Sequence, residues 1–198
     1  MTAAGSALYV AYLLLFAVAA LFCFVSLPRV KQIESRDTRI GLAALLLISG
    51  SWSVSHFGYL AAPTAILRHG FYLFGLVIGF SAVGPWLYVC SAYTGRSLHQ
   101  DRRIRLIAVL TYLGIVSIKL TNHYHQLYYV VEPIEIPFEH LQIVHQPLHW
   151  VVMGFAYALA SIGFFMLFEL FYKTDYDVKP LAGLVGITAL PIGLDVVG

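Results

Sequence analysis

The sequence predicts an all-α protein, a polytopic transmembrane helix bundle with six segments visible and a seventh expected. Three observations predict it. The chain is 60% hydrophobic and only 11% charged, against about 25% charged in a soluble domain. Its 198 residues cannot hide so much apolar surface in one aqueous core, so lipid is the natural solvent. The apolar residues also gather into runs close to the ~20 residues that cross a bilayer. Finally, the basic residues cluster in alternate connections between those runs.

Segment one covers residues 7–27 and ends at Pro28. No Lys or Arg precedes it, whereas Arg29 and Lys31 follow. A signal peptide has the opposite charge order, so the run reads as a spanning helix. The polar connection 28–39 leads to segment two, 40–61, with Pro63 after it. Segment three spans 70–93, the basic connection 94–105 follows, and segment four spans 104–120. A long cap, 121–150, comes next. Segment five spans 147–172, with Pro147 in the first helical turn, where a missing N–H does no harm. After the connection 173–179, segment six begins near Pro180 and is still apolar at Gly198. Residues 1–198 therefore read as one membrane region with no soluble domain, cut in or just after segment six of a longer protein.

Basic residues mark the cytoplasmic side of a membrane protein. Ten of the twelve fall in the first, third and fifth connections; only Arg68 and Lys119 fall toward the other side. This places the chain in the plasma membrane as a multi-pass protein, with its N-terminus and the cap outside. The net charge of +2 is explained by those topology signals and gives no reason to expect nucleic acid.

Ionisable residues within a membrane span are functional candidates by default. His56 falls near the outer end of segment two, Lys119 near that of segment four, and Asp195 late in segment six. By depth alone the three are expected to meet beneath the cap as an outward-facing polar pocket. The cap holds five of the eight histidines: His123, His125, His140, His145 and His149. His123 and His125 would place two imidazoles on one side of an extended strand. His145 and His149 are four apart across Pro147. Proton sensing is one reading of these side chains; an aromatic and polar interface belt with Tyr124, Tyr128, Tyr129 and Trp150 is the other. No HExxH or CxxC pattern is present, and neither a metal nor a cofactor is expected. Gly75 and Gly79 form a GxxxG pattern, read as internal bundle packing. No nucleotide-binding loop, nucleophile elbow or catalytic constellation is found, so no catalytic site is expected in this chain.

Two landmarks add a family resemblance. Trp86-Leu-Tyr-Val-Cys-Ser-Ala-Tyr93-Thr94-Gly95 closes segment three and is similar to an aromatic run ending in Tyr-Thr-Gly. Thr121-Asn122-His123-Tyr124-His125 is similar to a Thr-Asn-Pro-x-His turn, with His123 where proline is usual. Together with Pro147-Leu-His-Trp150 and Tyr157, they make the chain resemble the N-terminal seven-helix sensory region of prokaryotic histidine kinases. The stretch GFSAVGPWLYVCSAYTGRSL looks closest to haloarchaeal members. The resemblance implies a signal-input module of a two-component system, with the lipid bilayer around it, kinase or PAS domains following in cis and a homodimer formed through the full-length protein. It assigns Thr121, Asn122 and His125 to a recurrent turn. The signal-sensing candidates are then His56, Lys119, Asn122, His123, His125, His145, His149 and Asp195. The competing readings are a small transporter or channel and a histidine-rich metal- or cofactor-binding membrane protein.

Overall fold

A computed structural model of the chain describes residues 3–134 and 140–173. Segment six and Asp195 lie outside the described residues. Among those described, four stretches are long and apolar enough to cross a membrane: Gly5–Gln32, Arg36–Ala61, Ala65–Tyr93 and Pro147–Lys173.

Helix α1 (Ala3–Ser26) is apolar all round and packs mainly on α2 (Arg36–Ala61). Most of its large side chains face outward; Phe22 is 69% exposed. Only lipid satisfies such a surface, because a helix closes its own backbone hydrogen bonds and needs no water. Proline at the start of a 3-10 turn, Leu27–Gln32, ends α1. Ser35 then caps α2, its hydroxyl accepting from Thr38 N–H at 3.3 Å. This cap starts the helix four residues earlier than its apolar run does.

α2 is the central element, packing against α1, α3 and α4. Close approach is made at glycines. An added Cβ at Gly41 would stand 2.7 Å from Tyr88 Cδ1, at Gly50 2.9 Å from Phe24 Cζ, and at Gly58 2.5 Å from Phe71. The GxxxG pair faces the same contact from the other side: Gly75 meets Ser55, and Gly79 meets Trp52. Those glycines serve packing inside the bundle.

Segment three is not one straight helix. It forms α3 (Ala65–Ser81) and α4 (Val83–Tyr93), interrupted at Ala82. Pro85 is the cause: it has no N–H for the Ser81 carbonyl, and its ring crowds that carbonyl. The Ser81 hydroxyl instead reaches Val77 O at 2.9 Å and Tyr112 Oη at 2.9 Å. α4 ends in a Schellman motif, with Arg96 N–H on Ser91 O at 2.8 Å and Gly95 N–H on Ala92 O at 3.2 Å. Gly95 has φ +69°, which a residue without Cβ adopts freely. The Tyr-Thr-Gly landmark is therefore a helix stop.

α5 (Arg102–Leu120) is capped by Asp101, whose Oδ1 accepts from Arg103 N–H at 2.7 Å and Ile104 N–H at 3.3 Å. It is not among the four spanning stretches, because Arg102, Arg103, Arg105 and Lys119 charge both ends. One helical turn, α6 (Asn122–His125), follows.

The helical bundle is the expected all-α architecture, and its cap adds a short pair of strands. These form an antiparallel hairpin of β1 (Tyr129–Ile134) and β2 (His140–His145), in a register that pairs Tyr129 with His145 and Val131 with Ile143. Alternate residues point the same way. Tyr129 packs in the core with Tyr128 and Val152, and Val131 and Ile143 lie against it. α7 (Pro147–Lys173) completes the described chain. It packs on α4, where Gly163 receives the Trp86 ring and Trp86 Nε1–H donates to Ala160 O at 3.0 Å.

Candidate functional site

The hairpin end of the bundle is organised by Asn122, which is buried. Its Nδ2 donates to Tyr129 O at 2.8 Å, and its Oδ1 accepts from Tyr128 N–H at 2.9 Å and Tyr129 N–H at 3.3 Å. The side-chain amide thus acts as a substitute strand for the first residues of β1. The reversal before it uses Gln126 in the left-handed region, φ 51°. Gln126 N–H bonds Asn122 O at 2.7 Å, and Tyr124 N–H bonds Thr121 O at 3.0 Å. The turn closes with His123 in the position where the resembling motif has proline.

His125 is held at both ring nitrogens. Leu127 N–H donates to Nδ1 at 3.0 Å, so Nδ1 is the acceptor. Nε2 then bears the proton and donates to Ile118 O at 3.2 Å. This fixes one neutral tautomer. His125 thus closes the turn through both ring nitrogens. His123 lies outside the core, its ring tilted against that of Tyr124 at 3.7 Å between centres, with Nδ1 3.2 Å from Leu120 O. The two histidines occupy a helical turn and not the extended strand expected for them. Among the described residues, no group of three or more His, Cys, Asp or Glu gathers as a metal site.

Beneath the hairpin lies a second group. Lys119, 2% exposed, donates from Nζ to Leu76 O at 2.9 Å. The ammonium stands 4.5 Å from the centre of the Phe80 ring and 5.3 Å from that of Tyr128, two cation–π contacts. Tyr128 is fully buried, and its ring lies edge-on to His149 at 5.1 Å. His149 stacks on His145 at 3.8 Å and meets Trp150 at 5.3 Å. Two buried side-chain atoms among the described residues lack a hydrogen-bond partner: Tyr128 Oη and His149 Nδ1. Burial pushes the Tyr128 phenol well up from its ordinary value, so it stays an O–H donor. Beside this group, His69 Nε2 lies 2.8 Å from Tyr129 Oη, and Tyr72 packs edge-on to Tyr129 at 5.0 Å.

His56 does not share this surrounding. Its ring packs on Phe16 at 4.8 Å and Trp52 at 4.3 Å, on the α1 side of α2. His56 and Lys119 reach neighbouring residues of α3, Gly75 and Leu76, from different helices. Equal depth brought both to one level of the bundle; helical phase assigned them different neighbours. Lys119 instead shares its surroundings with Tyr128, whose ring meets His149, and His149 in turn stacks on His145. Tyr128 was the residue concealed by the sequence, because one more tyrosine in an aromatic cap reads as an interface anchor.

The opposite end holds a polar cluster that no motif announced. His99 Nε2 lies 3.2 Å from Asp37 Oδ2, and its Nδ1 lies 3.0 Å from Ser91 Oγ. Tyr88 packs edge-on to the same ring at 4.9 Å. Arg96 pairs with Glu169, which also receives Lys173. These bonds tie α2, the end of α4 and the end of α7 together. A histidine four residues after the Gly95 helix stop was the only available signal.

A family model for the N-terminal 7TM region of histidine kinase matches residues 7–195, nearly the whole chain. The chain belongs to that family and is a membrane protein surrounded by lipid. Among curated proteins and among solved structures, none is significantly similar to it.

Proposed function

We propose that this chain is the signal-input module of a two-component sensor kinase, relaying a stimulus from the hairpin end to cytoplasmic domains that follow in cis. The observation that carries the reading is the asymmetry between the two ends. The hairpin end holds buried, incompletely matched polar groups under a cover, as a receptive site requires. The other end is cross-linked by the Asp37–His99 and Arg96–Glu169 pairs, as a transmitting end requires. Arg29, Lys31, Arg36, Arg39, Arg96 and Arg102 cluster at that second end, which supports a cytoplasmic placement for it and an outside placement for the N-terminus and hairpin. A homodimer through the full-length protein belongs to the same reading. A haloarchaeal affinity rests on the stretch GFSAVGPWLYVCSAYTGRSL alone.

A stimulus acts only if it binds two arrangements of the bundle with different affinity. The test is autophosphorylation of the full-length protein in proteoliposomes. Lys119→Met and Asn122→Ala are expected to change the autophosphorylation rate while the ATP dependence stays as in the parent. Identical rates in parent and variants, or substrate-dependent solute flux through the vesicles, would sink the proposal.

A further inference from the structure

The ground beneath the hairpin carries more cationic and donor character than the described residues match. Lys119 has three N–H donors and one hydrogen-bond acceptor, Leu76 O. Among the described residues, no carboxylate lies within ion-pair distance of it. A buried ammonium without a counter-charge is strongly unfavourable, and aromatic faces compensate it only in part. Among the described residues, Tyr128 adds a fully buried O–H donor without a partner, and His149, 7% exposed, adds an unmatched Nδ1. The surrounding walls are apolar: Leu76, Phe80, Ile115 and Val152. Such walls exclude a large or heavily hydrated ligand. One lysine offsets one charge, so a polyvalent anion would remain largely unneutralised there.

We propose that Lys119, Tyr128 and His149 form a binding site for a small monovalent anion, a halide or a short-chain carboxylate. The anion completes the Lys119 coordination, accepts the Tyr128 O–H and takes an N–H from the Nδ1-protonated tautomer of His149. The hairpin seals the site through Tyr129 and Val131. This deepens the sensory reading by naming a ligand class, and it rests on that reading only for the statement that occupancy is the signal.

The experiment uses the full-length protein in zwitterionic nanodiscs. Sodium chloride, formate or acetate replaces sodium gluconate at constant ionic strength. The readouts are the unfolding midpoint and the emission of Trp150, whose ring lies 5.3 Å from that of His149. A saturable response to chloride identifies a halide site, and one to formate or acetate a carboxylate site. Tyr128→Phe should weaken the apparent affinity by about tenfold, the loss of one charge-assisted hydrogen bond. Lys119→Met should abolish the response. A response equal in gluconate, one that never saturates, or one unchanged in Tyr128→Phe would overturn the site. So would a parent protein that ignores anions while Asp195→Asn responds to them, since Lys119 would then already have a counter-charge within the chain. Autophosphorylation followed in the same samples separates the two proposals. Saturable binding with unaltered kinase output removes the signalling role and keeps the site; altered output in Asn122→Ala without any anion response removes the site and keeps the sensory reading.

Discussion

Asn122 and Tyr129 are joined twice, by Asn122 Nδ2–H on the Tyr129 carbonyl at 2.8 Å and by Tyr129 N–H on Asn122 Oδ1 at 3.3 Å. The pair is buried, so water cannot replace either bond. Asn122→Ala leaves these groups and Tyr128 N–H without partners. The expected loss of stability is about 3 kcal/mol, from stranded buried groups that each cost ~1–3 kcal/mol. Asn122→Asp keeps the acceptor half but sets a carboxylate oxygen against the Tyr129 carbonyl, so it should not restore the parent. Thermal unfolding in nanodiscs measures both.

Tyr128→Phe should act in the opposite direction when no anion is bound. It removes a buried hydroxyl that has no partner among the described residues and keeps the ring on Lys119 and His149. The expectation is neutral to about 1 kcal/mol more stable in gluconate, because deleting an unmatched polar group relieves its desolvation. A clear loss of stability in chemical denaturation would contradict the unmatched state of that hydroxyl.

The same residue sets an alkaline limit. Burial raises the phenols of Tyr128 and Tyr129 above their unfolded values. Their folded forms therefore hold protons that the unfolded chain releases. This contribution is fully present below about pH 10, the ordinary tyrosine value, and is lost as pH rises from there toward the folded values. Unfolding midpoints should fall between about pH 10 and 11, and Tyr128→Phe should flatten that fall.

His125 should appear as a single neutral tautomer with its proton on Nε2. Nitrogen-15 spectra of histidine-labelled protein would show an unprotonated Nδ1 and a protonated Nε2. His125→Ala should destabilise the α6 turn by about 0.5–1.5 kcal/mol, the net worth of a lost hydrogen bond at the exposed Leu127 N–H. A mobile, two-tautomer ring would remove its structural role.

Gly163→Ala places a Cβ against the Trp86 indole. The indole must move and lose its bond to Ala160 O. A cost of roughly 1–3 kcal/mol is expected from overpacking, with a shift in tryptophan emission as the direct check.

The membrane architecture was legible because lipid demands long apolar runs. Segments one, two and five emerge as helices close to their apolar limits, segment two extended where Ser35 supplies the start. Less legible were features decided by partners distant in sequence. The β1–β2 hairpin depends on cross-strand pairing, which local propensity reports poorly. The break at Ala82 was readable from Pro85, but the apolar run concealed it. His56 and Lys119 show the limit for the site: residue counting gives depth along a helix, whereas the side that each helix turns to its neighbours is set by packing.

The glycines of α2 bear on how any signal can travel. Gly41, Gly50 and Gly58 receive Tyr88 of α4, Phe24 of α1 and Phe71 of α3. Each neighbour is thus keyed into its own notch. A piston stroke by one helical turn, about 5.4 Å, would drive a ring against a residue that has a side chain. Tilting about the notches meets no such obstacle. The notches thus oppose sliding of these three neighbours along α2.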